Sequence, residues 1–321
     1  MTLAFDRLTR LRLAIAIGIG IASGALTAVW HQTFPLHASD FDLLWIAARA
    51  LRAHQDPYLA VHDWGWRWPM YYPLPAVVAV LPLAWLPLPV ARALFAAISA
   101  TALSFGLSTR GWWWLVVFLS GAYFWAALSV QLTPLITAAA LIPALRPLYA
   151  AKPTTGLPLL ALDPNRRGVV MALTGMALLT VISLMLDPEW PAAWLAAIQD
   201  APHIRPALTR PFGWLLLLSV LRWRRPAARY LLLLACAPQN ALPHEMLPLV
   251  LVAETPREVA WFTLSTLFLA GVAVQPDWTG RPFVDIVAAP WPYTLALVYL
   301  PALAMVLAKP NQTTPEPSRL P

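Results

Sequence analysis

The sequence predicts an all-α membrane protein, a polytopic bundle of about 10–12 transmembrane helices. Of its 321 residues, 60% are hydrophobic and only 12% are charged, whereas soluble domains are about a quarter charged. Long apolar stretches recur from residue 11 to residue 308. They lack the alternation of membrane β-barrel strands, and open sheet edges are excluded from lipid. The predicted spans are therefore helices.

Several of the candidate spans are shorter than the roughly 20 residues that a full crossing needs, so we expect some to be tilted or re-entrant. In chain order they are 11–30, 73–86, 89–107, 112–128, 132–146, 153–162, 168–187, 211–221, 229–240, 242–253, 257–275 and 290–308. We predict a single domain over residues 1–308. Residues 309–321 read as a disordered cytoplasmic tail.

Basic loops predict the orientation in the plasma membrane. Arginines are concentrated in 7–12, 166–167 and 222–229, and such loops are typically cytoplasmic, so both termini are predicted to be cytoplasmic. The predicted outer segments are then 31–72, 108–111, 147–152, 188–210, 241–244 and 276–289. The net charge of +7 is explained by this topology and does not indicate nucleic-acid binding.

The first outer loop, residues 31–72, is the largest. Within it, residues 43–53 are mostly apolar, with Arg49 and Arg52 three positions apart on one helical face. This pattern predicts a helix lying at the membrane interface, with its arginines towards water and headgroups.

Two carboxylates, Asp40 and Asp42, stand at the start of that helix in the stretch "SDFD". Ser39 and Asp42 have the spacing of a capping box, which is a structural role. A carboxylate at the membrane face can also deprotonate a sugar or lipid hydroxyl. If that hydroxyl attacks a sugar carried on a lipid phosphate, the leaving phosphate needs a cation. Lys152, in "AAKPTTGLP", is on the same predicted side.

A family resemblance supports this chemistry. The stretches "SDFDLLWIAARALRAHQDPY" and "YYPLPAVVAVLPLAWLPLPVARALF" resemble the polyprenol-phosphate-mannose-dependent mannosyltransferases of the GT-C superfamily. "QLTPLITAAALIPAL" resembles their Gln-led helix, "AAKPTTGLPLLAL" their Lys-Pro segment and, more weakly, "APQNALPHEMLPLV" a late His-containing motif. The resemblance implies a GT-C-like fold with Asp40 as the catalytic base, Lys152 at the donor phosphate and His244 as a second catalytic residue. Asp42, Arg49 and Gln131 are secondary candidates.

The sequence departs from the family pattern in its later part. Pro243 stands where the family has the first of two histidines, and Ala241 stands where it has a tryptophan. The segment 188–210 lacks the expected Asn-Gln-Ser pattern. These departures leave the acceptor open.

The predicted function is inverting transfer of a sugar, mannose by the resemblance, from a polyprenyl-phosphate donor to a hydroxyl of a lipid or glycan acceptor. No cofactor is expected. Asp40 and Asp42 form an Asp-x-Asp pair, but a hard cation prefers more oxygen ligands than this pair supplies, so we predict no metal. Two alternatives stay open: a non-catalytic GT-C-like membrane scaffold, or a transporter of lipids or solutes.

Overall fold

The computed structural model describes residues 6–34, 39–65, 70–163, 165–199, 201, 203–273 and 281–311. Within these ranges the chain is helical and forms no β-strand, which confirms the predicted all-α class. Four helical stretches are long and apolar enough to cross a membrane: Arg7–Thr33, Leu88–Arg110, Arg166–Leu186 and Phe283–Leu307.

The α-helices of the first half are α1 Arg7–Thr33, α2 Asp40–Arg52, α3 Pro57–Asp63, α4 Leu74–Val80, α5 Leu88–Arg110, α6 Gly121–Leu128, α7 Thr133–Leu141 and α8 Pro153–Leu159. Those of the second half are α9 Arg166–Leu186, α10 Trp190–Gln199, α11 Pro226–Cys236, α12 Pro256–Ala273, α13 Phe283–Ala288, α14 Trp291–Thr294 and α15 Leu300–Leu307. A π-helical turn, Leu295–Tyr299, joins the last two.

Several of the remaining apolar segments are 3₁₀ helices: Leu81–Trp85, Trp112–Leu119, Pro143–Ala151, Leu160–Leu162, Ala207–Thr209, Gly213–Arg222 and Pro243–Val252. Some of them carry internal prolines, such as Pro147 and Pro248. Proline removes a backbone donor and clashes with the preceding turn, which disfavours a regular α-helix. The high proline content, 33 residues, thus accounts for many of the interruptions.

The helices run between two ends of one bundle, which we name by a residue at each. At the Asp40 end lie Asp40, Lys152, Gln239 and Glu245; at the Arg225 end lie Arg222, Arg225, Glu254, Glu258 and Lys309. At the Arg225 end, Arg225 pairs with Glu254, and Lys309 Nζ lies 2.8 Å from Glu258 Oε1. The Arg222 Nε–H donates to the Lys309 carbonyl at 2.7 Å.

Helices α1 and α5 pack closely and antiparallel. A Cβ on Gly20 would meet Ala97 and Thr101, whereas a Cβ on Gly24 would meet Ala93 and Ala97. Later residues of α1 thus contact earlier residues of α5, so the two helices are antiparallel. The start of α1 and the end of α5 therefore share one end of the bundle.

This packing corrects the prediction that residues 108–111 belong with the other outer loops. Arg110 closes α5 next to the start of α1 and lies in the electrostatic field of Glu254. The loop is therefore at the Arg225 end, opposite Asp40. The prediction was wrong because it counted residues 73–86 as a crossing.

Residues 73–86 begin and end at the same end of the bundle. The Tyr72 hydroxyl reaches Asp40 at the start of α2, whereas the Trp45 indole N–H donates to the Leu86 carbonyl at 3.2 Å. The segment changes from α4 to a 3₁₀ helix that contains Pro82. It runs beside α2 and does not lead to the Arg225 end.

The predicted span 132–146 also differs, because the chain turns inside it. Helix α7 ends near Gly106, whose Cβ position faces Leu141. The 3₁₀ helix Pro143–Ala151 then returns, and Lys152 Nζ lies 3.3 Å from the Thr133 hydroxyl at the start of α7. Residues 73–86 make one crossing fewer than predicted, and residues 132–151 make one more. The two errors cancel, so Lys152 lies at the same end of the bundle as Asp40, as predicted.

The predicted tail, residues 309–321, falls partly outside the described residues, which stop at Asn311. The described part packs against the bundle. Arg225 donates to the Pro310 carbonyl at 3.0 Å, and the Asn311 amide donates to the Leu221 carbonyl at 3.2 Å.

Candidate functional site

Asp40 is the first residue of α2, and its position is set by the capping of that helix. The Ser39 backbone N–H and hydroxyl both donate to the Asp42 carboxylate at 2.7 Å, which confirms the predicted capping box. Asp40 itself takes no part in the cap. Its carboxylate is left to face inward, half-buried, towards the neighbouring segments.

Asp42 is fully buried and held by a second partner. Arg92 on α5 donates from Nε to Asp42 Oδ1 at 2.6 Å and from Nη2 to Oδ2 at 2.5 Å. Such a bidentate pair is strong and geometrically specific. Both oxygens of Asp42 are thereby engaged, so the Asp40–Asp42 pair does not resemble a metal site. Among the described residues, no group of three or more His, Cys, Asp or Glu could hold a metal ion.

The turn between α6 and α7 meets the start of α2. Its Ser129 carbonyl accepts the Asp40 backbone N–H at 3.2 Å. Val130 has a φ of 48°, a left-handed conformation that is unusual for a β-branched residue and that persists only when its surroundings impose it. Val130 lies between Ser129, whose carbonyl contacts Asp40, and Gln131, which is buried. The predicted secondary residue Gln131 is therefore beside Asp40.

Tyr72 connects these two residues. Its hydroxyl lies 3.3 Å from Asp40 Oδ2 and 3.4 Å from Gln131 Oε1; with one hydrogen, it donates to one of them at a time. Burial and the negative charges of Asp40 and Glu245 raise the pKa of the Tyr72 phenol well above its usual range. Tyr72 thus remains a neutral donor at physiological pH.

Lys152 and Glu245 form a buried ion pair next to this group. Lys152 Nζ donates to Glu245 Oε1 at 2.6 Å and to the Thr133 hydroxyl at 3.3 Å. Their side chains are only 10% and 7% exposed. A lysine at a helix end often snorkels, with its ammonium in water. Lys152 does not, because its side chain is buried.

His244 lies on the other side of Glu245 and is also buried. Its Nε2 is 3.5 Å from Glu245 Oε1, and the Asn240 amide donates to the same oxygen at 3.3 Å. Within the described part of the chain, His244 Nδ1 and Glu245 Oε2 are buried with no hydrogen-bond partner. Buried polar atoms are rarely left unpaired. These two are free to bind a water molecule or a ligand.

We refer to these residues together as the polar cluster: Asp40, Tyr72, Gln131, Thr133, Lys152, His244 and Glu245. Gln131 and Thr133, separated by one residue, join its two halves. Tyr72, which contacts Asp40, also lies in the field of Glu245. Three predicted residues from distant parts of the sequence, Asp40, Lys152 and His244, thus belong to one cluster at one end of the bundle.

The three acids of this region differ in their partners. Asp42 is neutralised by Arg92, and Glu245 is neutralised by Lys152. Among the described residues, no cationic group lies within ion-pair distance of Asp40, whose side-chain contact is a neutral phenol at 3.3 Å. A carboxylate without a cation retains its capacity to accept a proton, as a general base requires.

Arg49 is the predicted candidate that the structure leaves outside the polar cluster. Helix α2 covers the predicted helical segment 43–53 except for its last residue, and Arg49 is exposed on it, with its guanidinium carbon 4.7 Å from the centre of the Trp45 ring. Arg52 donates to the Ala84 carbonyl at 3.1 Å and stacks on Trp85.

Sequence reasoning missed Tyr72 and the partners Arg92 and Thr133. Tyr72 lies in "YYPLP", which contributed to the resemblance without being named as a site residue. Arg92 is a single arginine near the start of an apolar helix, a position typical of interfacial arginines. Glu245 was not among the predicted site residues, and its contact with Lys152 spans 93 residues.

Comparisons with protein-family models, curated proteins and solved structures found no match to this chain. The proposals that follow therefore depend on the site itself and on the sequence patterns described above.

Proposed function

We propose that this protein is a membrane glycosyltransferase of the GT-C-like type. It transfers a sugar, mannose by the sequence resemblance, from a polyprenyl-phosphate donor to a hydroxyl of a lipid or glycan acceptor. The reaction takes place at the outer face of the plasma membrane, where the Asp40 end lies, and both termini are cytoplasmic.

One observation carries the proposal. A chain in which only 12% of the residues are charged brings the buried Lys152, His244 and Glu245 together with the half-buried Asp40 in a single cluster. Ionisable groups are costly in such surroundings and usually mark function. Asp40, Lys152 and His244, which were predicted from donor chemistry and from the family resemblance, are among the residues that converge, although the segments that carry them are far apart in sequence.

The proposed reaction is a direct displacement. The Asp40 carboxylate accepts the proton of the acceptor hydroxyl as its oxygen forms a bond to the anomeric carbon of the sugar. The bond from that carbon to the phosphate oxygen breaks, and the electron pair leaves with the polyprenyl phosphate. Tyr72 positions the carboxylate, because its hydroxyl donates to Asp40 Oδ2.

Lys152 is proposed to stabilise the charge on the leaving phosphate. Its ammonium already lies 2.6 Å from Glu245, so the donor must share this cation with a carboxylate. His244, 3.5 Å from Glu245 Oε1, supplies a second side chain that can donate a hydrogen bond to the phosphate. His244 and Lys152 would then both contact the leaving phosphate.

We propose that the shorter helices of the bundle cross the membrane together with the four long ones. In this arrangement, the described residues form twelve passes that alternate between the Asp40 and Arg225 ends, and the shorter passes include the 3₁₀ helices Pro143–Ala151 and Pro243–Val252. Such short passes need thinning of the bilayer or shielding by longer neighbours. The basic residues Arg222 and Arg225 then face the cytoplasm, in agreement with the positive-inside rule.

The location of the cluster also bears on the transporter alternative. Transporters typically bind their substrates near the middle of the membrane, at broken helices reachable from both sides. Here the cluster is at one end of the bundle, together with the half-buried Asp40. This arrangement favours chemistry at an interface over a transport path.

The test is transfer of labelled mannose from a polyprenyl-phosphate donor to a membrane lipid extract by the purified protein, with identification of the product. We expect Asp40→Asn to lower turnover by about 10²–10⁴-fold, as loss of a general base does. Asp63→Asn is the matched control, because Asp63 is an exposed acid on α3 and should leave turnover unchanged.

Equal turnover by Asp40→Asn and the unsubstituted protein would exclude Asp40 as the base. Absence of transfer by the folded protein with any extract and any polyprenyl-phosphate sugar would favour the non-catalytic scaffold instead.

A further inference from the structure

A cavity of about 450 Å³ lies outside the polar cluster, between the segment after α10 and the helices α13 and α14. Its volume is within the range of roughly 300–1,000 Å³ that is usual for small-molecule sites. The basic residues that line it are His203, Arg205 and Arg210. Apolar residues, including Val284, Val287 and Trp291, also line it.

Arg210 is the buried cation of this cavity. It is 8% exposed, and its Nε–H and Nη2–H donate to the backbone carbonyls of Arg205 at 3.2 Å and Gln239 at 3.0 Å. Its guanidinium carbon is 5.3 Å from the centre of the Trp291 ring. Among the described residues, no carboxylate lies within ion-pair distance of it.

A buried guanidinium that is held only by carbonyls and a ring keeps a full positive charge without a counter-ion. Carbonyl oxygens orient it and satisfy part of its hydrogen-bonding capacity, but they do not neutralise it. Arg205 and His203 are both exposed at the same cavity, so Arg205 adds a second positive charge. An anion is the ligand that this arrangement fits.

The apolar wall indicates that the anion belongs to an amphiphile. Val284 and Val287 line the same cavity as the basic residues, and Trp291 both lines it and lies against the Arg210 guanidinium, so hydrocarbon and positive charge border one space. Arginine forms bidentate hydrogen bonds with phosphate oxygens. The combined basic and apolar lining therefore matches a phosphate group that is attached to a hydrophobic chain.

The cavity is connected to the polar cluster through Gln239. Its carbonyl accepts from Arg210, and its side-chain amide donates to the Thr154 carbonyl at 3.0 Å, two residues after Lys152. Tyr299 lies in the electrostatic fields of both Glu245 and Arg210. The two sites are thus neighbours at the same end of the bundle.

We infer that the cavity lined by Arg205, Arg210 and Trp291 is a second site, which binds the phosphate group of a lipid beside the polar cluster. The lipid is either a polyprenyl phosphate or a diacylglycerol phosphate. This site goes beyond the proposed glycosyl transfer, since it concerns binding and does not require Asp40 to act as a base.

The test is calorimetric titration of the protein, purified in a neutral detergent, with three probes: farnesyl phosphate, dioctanoyl phosphatidic acid and dioctanoyl phosphatidylcholine. We expect at least one phosphate monoester to bind and the zwitterionic lipid to bind much more weakly. Binding of farnesyl phosphate alone would identify the polyprenyl source. Binding of phosphatidic acid alone would identify the diacyl source, and binding of both would show a general lipid-phosphate site.

Arg205→Gln and Arg210→Gln should each weaken binding of the phosphate monoester by roughly tenfold or more, because each removes a charge-assisted contact. Arg49→Gln is the matched control, an exposed arginine on α2 away from the cavity, and should leave binding unchanged. Since Arg210 is buried and its loss can impair folding, the exposed Arg205 keeps the test decisive.

Undiminished binding by Arg205→Gln, or equal affinity for phosphatidylcholine, would overturn the inference. So would equal affinity for inorganic phosphate, which would show an anion site without a lipid. Asp40→Asn should bind these probes normally, so that failure of the catalytic proposal and failure of this one are distinguishable.

Discussion

The two ends of the bundle treat their charges differently. At the Arg225 end, opposite charges meet directly: Arg225 with Glu254, and Lys309 with both Glu254 and Glu258. The Asp40 end also contains ion pairs, Arg92 with Asp42 and Lys152 with Glu245. In addition, it holds two charges that have no opposite charge within ion-pair distance among the described residues: Asp40 faces a phenol and Arg210 faces carbonyls. Paired charges stabilise the packing of chain segments, whereas unpaired ones remain available to a ligand. This difference agrees with a structural role of the Arg225 end and with the binding and catalysis that we propose for the Asp40 end.

The buried pair Lys152–Glu245 should show the largest effect on stability. Lys152→Met leaves the Glu245 carboxylate buried without its cation, and breaking such a pair typically costs about 3–5 kcal/mol. The measurement is the free energy of unfolding in mixed SDS micelles. The double variant Lys152→Met with Glu245→Gln removes both charges and should recover much of the loss. A double variant that is as unstable as Lys152→Met would show that the two residues are not coupled.

A substitution of Asp42 should lower stability with little effect on catalysis, although Asp42 lies at the Asp40 end. Asp42→Asn removes the charge that holds Arg92 and one half of the capping box, so we expect a loss of about 2–4 kcal/mol in the free energy of unfolding. Turnover per folded molecule should fall far less than in Asp40→Asn. Equal loss of turnover in both variants, with both proteins folded, would indicate that the two carboxylates act together.

The smallest effect is expected at the Arg225 end. The Glu254 side chain is 47% exposed, and solvent weakens such ion pairs, so Glu254→Gln should change the free energy of unfolding by about 0–1 kcal/mol. Unchanged turnover would accompany it. A clear loss of glycosyl transfer in this variant would contradict the division between the two ends.

The sequence predicted local structure correctly, because local structure depends on neighbouring residues. It predicted wrongly to which end of the bundle one segment leads. Helical class, the capping box of Ser39 and Asp42, and the helix that begins at Asp40 all depend on local patterns. The segment 73–86 was taken for a crossing because it is apolar and bounded by prolines. Its contacts with α2 make it return to the Asp40 end instead.

Helical structure and apolar character could be read from the sequence. Its long apolar stretches lack the alternation of barrel strands, and open sheet edges do not occur in lipid. The sequence also indicated Asp40, Lys152 and His244 as chemically suitable residues. Only the tertiary structure decided which carboxylate is free. Arg92 lies 50 residues from Asp42, and Lys152 lies 93 residues from Glu245. Ion pairs between segments so distant in sequence depend on how the helices pack, and no local pattern encodes that packing.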